Sequence, residues 1–262
     1  MNKIFSSSAG LIALLIIILL PFLASAQVVP AEVSPIDTTH TPPFSFEVNV
    51  SSSNVWLLNG MAYGVNEPNA ALTVQYTHRN FYAYAYKANS LVKQVSDGNY
   101  ATVGVGHKAV FKTNTFIDLN FASMFMQHQR FYEGYRSRET QLFASAFLTQ
   151  QLVTGKHFIN LQPVWVIHPG YGDAQAENDN LLIRADYEYR NEKLGTFNAL
   201  YYYSYGVGAT STGSAVGFNY LKRFPLTSRF TGKATITAIK NINERPTSYF
   251  KDVLSVGYSV EF

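Results

Sequence analysis

Cysteine is absent from all 262 residues. No disulfide can staple the fold, and no thiol can serve as nucleophile or metal ligand. Charge is scarce too: Asp, Glu, Lys and Arg make up 14% of the chain, against ~25% in ordinary soluble domains. Beyond the N-terminus no stretch approaches the ~20 consecutive apolar residues of a spanning helix. That leaves strands as the means of crossing a membrane. The formal net charge is only +3, with no basic stripe, so nucleic acid is not an expected partner. What the chain has in quantity is Tyr (18) and Phe (19), against two Trp. Few charges with many Tyr and Phe fit a protein with one face in lipid and aromatic girdles at the interfaces.

The first residues read as a secretory signal peptide. Lys3 precedes an apolar run from Leu11 to Leu23, and Ala24-Ser25-Ala26 forms an A-x-A site before Gln27. Residues 1–26 are therefore expected to be removed. Residues 27–43 carry Pro30, Pro35, Pro42 and Pro43 among Ser, Thr and Asp, which predicts a flexible periplasmic leader. Residues 44–262 form the folded part.

That part is a succession of period-two segments. The last is the clearest. Leu254, Val256, Tyr258, Val260 and Phe262 alternate with Val253, Ser255, Gly257, Ser259 and Glu261, one greasy face and one wet face of a strand. Twelve such segments are expected, near 44–58, 70–78, 81–89, 99–112, 115–127, 139–152, 156–168, 180–190, 196–207, 214–224, 229–240 and 250–262. In the third, Tyr82, Tyr84 and Tyr86 oppose Ala83, Ala85 and Lys87 and are assigned outward. In the sixth either Leu142–Leu148 or Phe143–Phe147 could be the outer set. In the eighth, Leu181, Ile183, Ala185, Tyr187 and Tyr189 face out, and Arg184, Asp186, Glu188 and Arg190 face in. The connections alternate between short and long along the whole chain. An even number of strands with short turns at one rim and long loops at the other predicts an all-β, transmembrane antiparallel up-and-down β-barrel of about 12 strands.

A final strand closing on a C-terminal Phe resembles the assembly signal of bacterial outer-membrane β-barrel proteins, here Tyr258, Val260 and Phe262. The resemblance implies an outer-membrane location, the barrel assembly machinery as a partner, and lipid and lipopolysaccharide as surroundings. The run Val50-Ser51-Ser52-Ser53-Asn54-Val55-Trp56 with Gly60, then Phe81-Tyr82-Ala83-Tyr84 with Asn89-Ser90, is similar to the front end of an uncharacterised nucleoside-channel-like barrel family.

The six histidines are the candidates for chemistry. No His is followed by the Ser-Asn-Gly or His-x-Ser patterns that barrel hydrolases need, so no enzyme, cofactor or metal is expected. Asp173, Glu177 and Asp179, with His168 just before them, form an acidic loop, either solvated or a weak Ca²⁺ site. Residues 128–138 mix His128, Arg130, Arg136 and Arg138 with Phe131, Tyr132 and Tyr135. Arg forks onto phosphate or carboxylate while Tyr stacks on a sugar or base, so this is a constriction or binding loop, or a lipopolysaccharide contact. The inward charges Arg184, Asp186, Glu188, Arg190, Lys108, Asp118, Lys87, Lys233 and Arg223 either line a pore or pair and fill the lumen. The expected function is a narrow channel for small polar solutes; the alternatives are a plugged structural or surface-interaction barrel and, behind both, an interfacial hydrolase.

Overall fold

The computed structural model describes residues 43–52, 54–58, 61–65, 67–92, 99–112, 114–129, 136–153, 155–167, 180–206, 213–242 and 252–262. The expected signal peptide, the leader except Pro43, and the acidic loop with His168 lie outside them.

The strands are β1 (Phe44–Ser51), β2 (Asn54–Leu58), β3 (Met61–Val65), β4 (Asn69–His78), β5 (Phe81–Ser90), β6 (Tyr100–Lys112), β7 (Thr115–Gln129), β8 (Arg136–Val153), β9 (His157–Ile167), β10 (Asn180–Asn191), β11 (Gly195–Gly206), β12 (Gly213–Pro225), β13 (Thr231–Asn241) and β14 (Val253–Glu261). All except β2 and β3 pair antiparallel with their chain neighbours, and β1 pairs with β14, so twelve strands close into a barrel. Closure gives every strand two partners, which leaves no unsatisfied edge for lipid to meet.

The first expected strand is corrected. It ends at Ser51, and the stretch up to residue 65 turns back on itself as the β2–β3 hairpin. The serines after Val50 explain the break. The Ser52 amide donates to the Val256 carbonyl at 2.9 Å, and its hydroxyl accepts from the Val256 amide at 3.0 Å, which ends the β1–β14 ladder there.

Period two sorts the side chains as the sequence predicts. On β14 Leu254, Val256 and Tyr258 are exposed, while Val253, Ser255 and Ser259 are buried. On β1 Phe46, Val48 and Val50 face out. On β8 the ambiguity resolves: Phe143, Ser145 and Thr149 point inward, so Leu142 and Leu148 belong to the lipid face. Short turns stand at one rim, between His78 and Phe81 or Asn191 and Gly195, and the long connections at the other. Positive φ at Gly155 (71°), Gly195 (110°) and Arg79 (53°) marks the tightest of these turns.

The seam is held by the chain's last residue. Phe262 and Phe46 exchange both backbone hydrogen bonds, at 2.8 and 2.9 Å. Their rings stack at 5.6 Å, and Phe230 meets Phe262 edge-on at 5.7 Å.

Candidate functional site

The candidate site is the inner wall of the barrel, which divides into two zones. Toward the short turns, β10 contributes Arg184, Asp186, Glu188 and Arg190. Asp186 is fully buried at its side chain, with the Arg184 guanidinium 2.6 Å away. Asn160 on β9 and Asn198 on β11 donate to Asp186 Oδ2 at 2.8 and 3.0 Å. Asn198 also donates to Glu188 at 3.0 Å, and Arg190 pairs with Glu188 while lying 4.0 Å over the Phe158 ring. The network continues sideways: Asn219 donates to Asn198 at 3.5 Å, and Thr237 donates to Asn219 at 2.8 Å. A hydrogen-bonded belt thus crosses five adjacent strands, β9 to β13: Asn160 stands opposite Asp186, and Glu188, one inward position further along β10, stands level with Asn198, Asn219 and Thr237.

A second group sits across the seam. Lys233 on β13 bridges Glu47 on β1 at 2.8 Å and Glu261 on β14 at 3.0 Å, and the Ser259 hydroxyl donates to Glu47 at 2.6 Å. Register places Arg223 opposite Lys233, on the same inner face. A third group joins β5, β6 and β7. Tyr82 donates to Asp118 at 2.7 Å, Asn120 donates to Tyr82 at 3.1 Å, and Lys108 lies 5.2 Å over the Tyr82 ring.

The third group corrects the face assigned to β5. Tyr82, Tyr84 and Tyr86 point into the lumen, and Lys87 points out, on the face of Leu72, its register partner. The cause is on the neighbouring strand. A Cβ at Gly106 would come 2.2 Å from the Tyr82 ring, and one at Gly104 would come 2.5 Å from the Tyr84 ring. The missing side chains make room for the rings, and the phenol hydroxyls find partners inside that hydrocarbon would not supply. Gly104-Val105-Gly106 was the available signal. Two glycines on one face of a strand call for large neighbours on that face.

Toward the long loops the wall changes character. Tyr100, Met124, Phe143, Val164, Val166, Leu182, Tyr202, Ile239 and Val253 are buried, joined by Ala71, Ala88, Ala122, Leu200 and Ala215 in one apolar cluster. Every barrel strand except β1 contributes to it. The sequence pattern does not single out this cluster, because alternation shows that a residue faces inward, as it does for Val253, but not how high it stands in the barrel.

Of the loop candidates, Arg130, Tyr132 and Tyr135 lie outside the described residues. Arg136 and Arg138 do not belong to the loop: they are in β8, in register with Gln129 and Gln127. The β7–β8 ladder runs further than the apolar pattern does, since backbone pairing continues after the hydrophobic face ends. Among the described residues no three His, Asp or Glu side chains converge to hold a metal.

No protein-family model matches the chain, and no curated protein matches it. Solved structures do. A KdgM porin superposes with a TM-score of 0.54 at 9% identity, covering 83% of this chain and 98% of its own. A second KdgM porin structure, in complex with disordered oligogalacturonate, gives 0.52 at 8%. A NanC porin gives 0.50 at 8% identity, covering 82% of this chain and 97% of its own. At such identities the likeness is one of fold: the chain is similar to porins in its closed membrane barrel.

Proposed function

We propose that the protein is an outer-membrane channel for small polar solutes. The observation that carries the reading is the belt of hydrogen-bonded and ionic side chains on the inner wall, from Asn160 through Asp186 and Asn198 to Thr237. A barrel serving only as a scaffold has no need of so many desolvated polar groups, each of which costs free energy unless paired. Here they are paired with one another, which fixes the wall, while the half-exposed Arg190 and Glu261 beside them present charge of both signs to a passing solute. The porin fold of the neighbours supports the same reading. The apolar cluster above the belt is then the barrier, since an apolar constriction gates by dewetting.

Selectivity follows from the belt. Arg184 compensates the buried Asp186, so Arg184→Ala leaves a carboxylate uncovered and shifts permeation toward cations. The test is single-channel recording of the purified protein in planar bilayers. Discrete steps whose cation preference rises in Arg184→Ala support the channel. A silent bilayer over a demonstrably folded barrel overturns it.

A further inference from the structure

The outer face carries a feature that the channel reading does not use. A groove of about 600 Å³ lies on the lipid side of β4 to β8, within the size range of ligand sites. Its floor is made of small side chains, Ala83, Ala144 and Ala146, and its walls are Tyr76, Phe81 and Phe121. Register explains its course. His78 pairs with Phe81, Phe81 with His107, His107 with Leu119 and Leu119 with Ala146. That row leaves the last residue of β4 and arrives at the middle of β8, so the groove climbs from the short-turn rim into the hydrocarbon.

The lower end is polar and basic. His78 and His107 line it, and Arg79 stands next to it in the β4–β5 turn. Arg79 is exposed, held at a φ of 53°, and has no ion-pair partner among the described residues. The exposed side chains of the other short turns carry the same sign: Lys156, Lys193 and Arg229 against Glu192 alone. Short turns of outer-membrane barrels face the periplasm, and a basic rim there meets the headgroups of the inner leaflet.

We propose that the groove holds an acyl chain of an anionic phospholipid of the periplasmic leaflet, with its phosphate at Arg79 and His78. The ring walls and alanine floor give the chain apolar contact, and the guanidinium forks onto the phosphate oxygens. The proposal goes beyond the channel reading and does not depend on it.

Native mass spectrometry of the detergent-extracted protein tests this, with phosphatidylglycerol and phosphatidylcholine of identical chains as probes. The expected result is one retained phosphatidylglycerol, preferred over phosphatidylcholine by about fivefold, the factor one basic side chain near an anionic headgroup supplies. Arg79→Asn, which tolerates the positive φ, abolishes that preference, and Ala146→Phe, which fills the floor, abolishes retention. Ala83→Phe serves as a second filling variant if Ala146→Phe does not fold, and Ala238→Phe, on the lipid face of β13, leaves retention unchanged. Retention unaffected by the filling variants overturns the proposal. So does equal retention of the two lipids, or a dimer of the chain that these variants dissolve.

Discussion

The two halves of the lumen are built on opposite principles, although the same strands supply both. Strand β13 shows it within six residues. Lys233, near the short-turn end, bridges two carboxylates, while Ile239, near the loop end, is 4% exposed in the apolar cluster. Strand β10 repeats the change from Asp186 to Leu182. In the inner half, polar groups pair both along β10, as Arg184 with Asp186, and across to neighbouring strands, as Asn198 with Asp186, and Glu261 at the mouth remains 40% exposed at its side chain. In the outer half, side chains pack as in a soluble core. One barrel therefore contains both a wet vestibule and a dry collar. What separates them is height along the strand, not which face a residue occupies.

That contrast is broken most severely by placing a charge on each side of it. Ile239→Asp buries a carboxylate in the apolar cluster, at a cost of about 3–5 kcal/mol, the range for an uncompensated buried charge. Thr235→Asp, four residues earlier on the same face, costs about 1 kcal/mol or less. Urea unfolding of the two variants in lipid vesicles separates them. Equal midpoints would mean that the collar admits water.

The next effect belongs to the vestibule. Lys233→Met removes the cation shared by Glu47 and Glu261, which stand directly opposite each other in the ladder. Both carboxylates keep some solvent, so screening limits the loss to about 1–2 kcal/mol. The signature is partial recovery when Glu47→Gln is added. Two losses that simply sum would show that the three groups do not act together.

Alternation alone made the barrel legible, because lipid outside and a closed ladder force every strand to declare its two faces. It placed Arg184, Asp186, Glu188 and Arg190 on the inner wall, together with Lys108, Asp118, Lys233 and Arg223. It failed on β5, where tyrosine suits a membrane interface as well as a lumen; the decision lay on another strand, at Gly104 and Gly106. It failed also on the collar, since Val164 and Leu182 read as ordinary inward positions. Their burial is set by which residues share their level on neighbouring strands, and level depends on register, which a single sequence does not display.

Phe262 spans the comparison at its base, where the barrel is sewn shut. Deleting it removes two backbone hydrogen bonds to Phe46 and two ring contacts, each ring contact being of order 0.5–1.5 kcal/mol. The loss falls on closure of β1 against β14. The folded fraction, read as the heat-modifiable band on a gel, is expected to drop, while Ile242→Ala at the opposite rim leaves it unchanged. A truncated chain that folds in normal yield would show that the ladder above Phe46 closes the seam unaided.

The smallest effect tests whether charge matters at the loop end at all. There Lys240 pairs with Asp252 on the exposed rim, and the Asn241 amide donates to Asp252 at 2.9 Å. The Lys240 ammonium and that amide together hold the Asp252 carboxyl below its ordinary range. A carboxyl lowered in the folded state contributes stability that is complete above its unfolded pKa, near 4, and lost as pH falls through the lower folded value. Asp252 is fully exposed, so water screens most of the interaction. Asp252→Asn should therefore differ slightly from the parent at neutral pH and coincide with it once the medium is acid enough to protonate the parent's carboxyl. Unfolding midpoints followed from pH 7 downward read this directly. A difference that persists undiminished in acid would assign the effect to the lost amide contact rather than to charge, and would leave the vestibule as the region of the described barrel where ion pairs set stability.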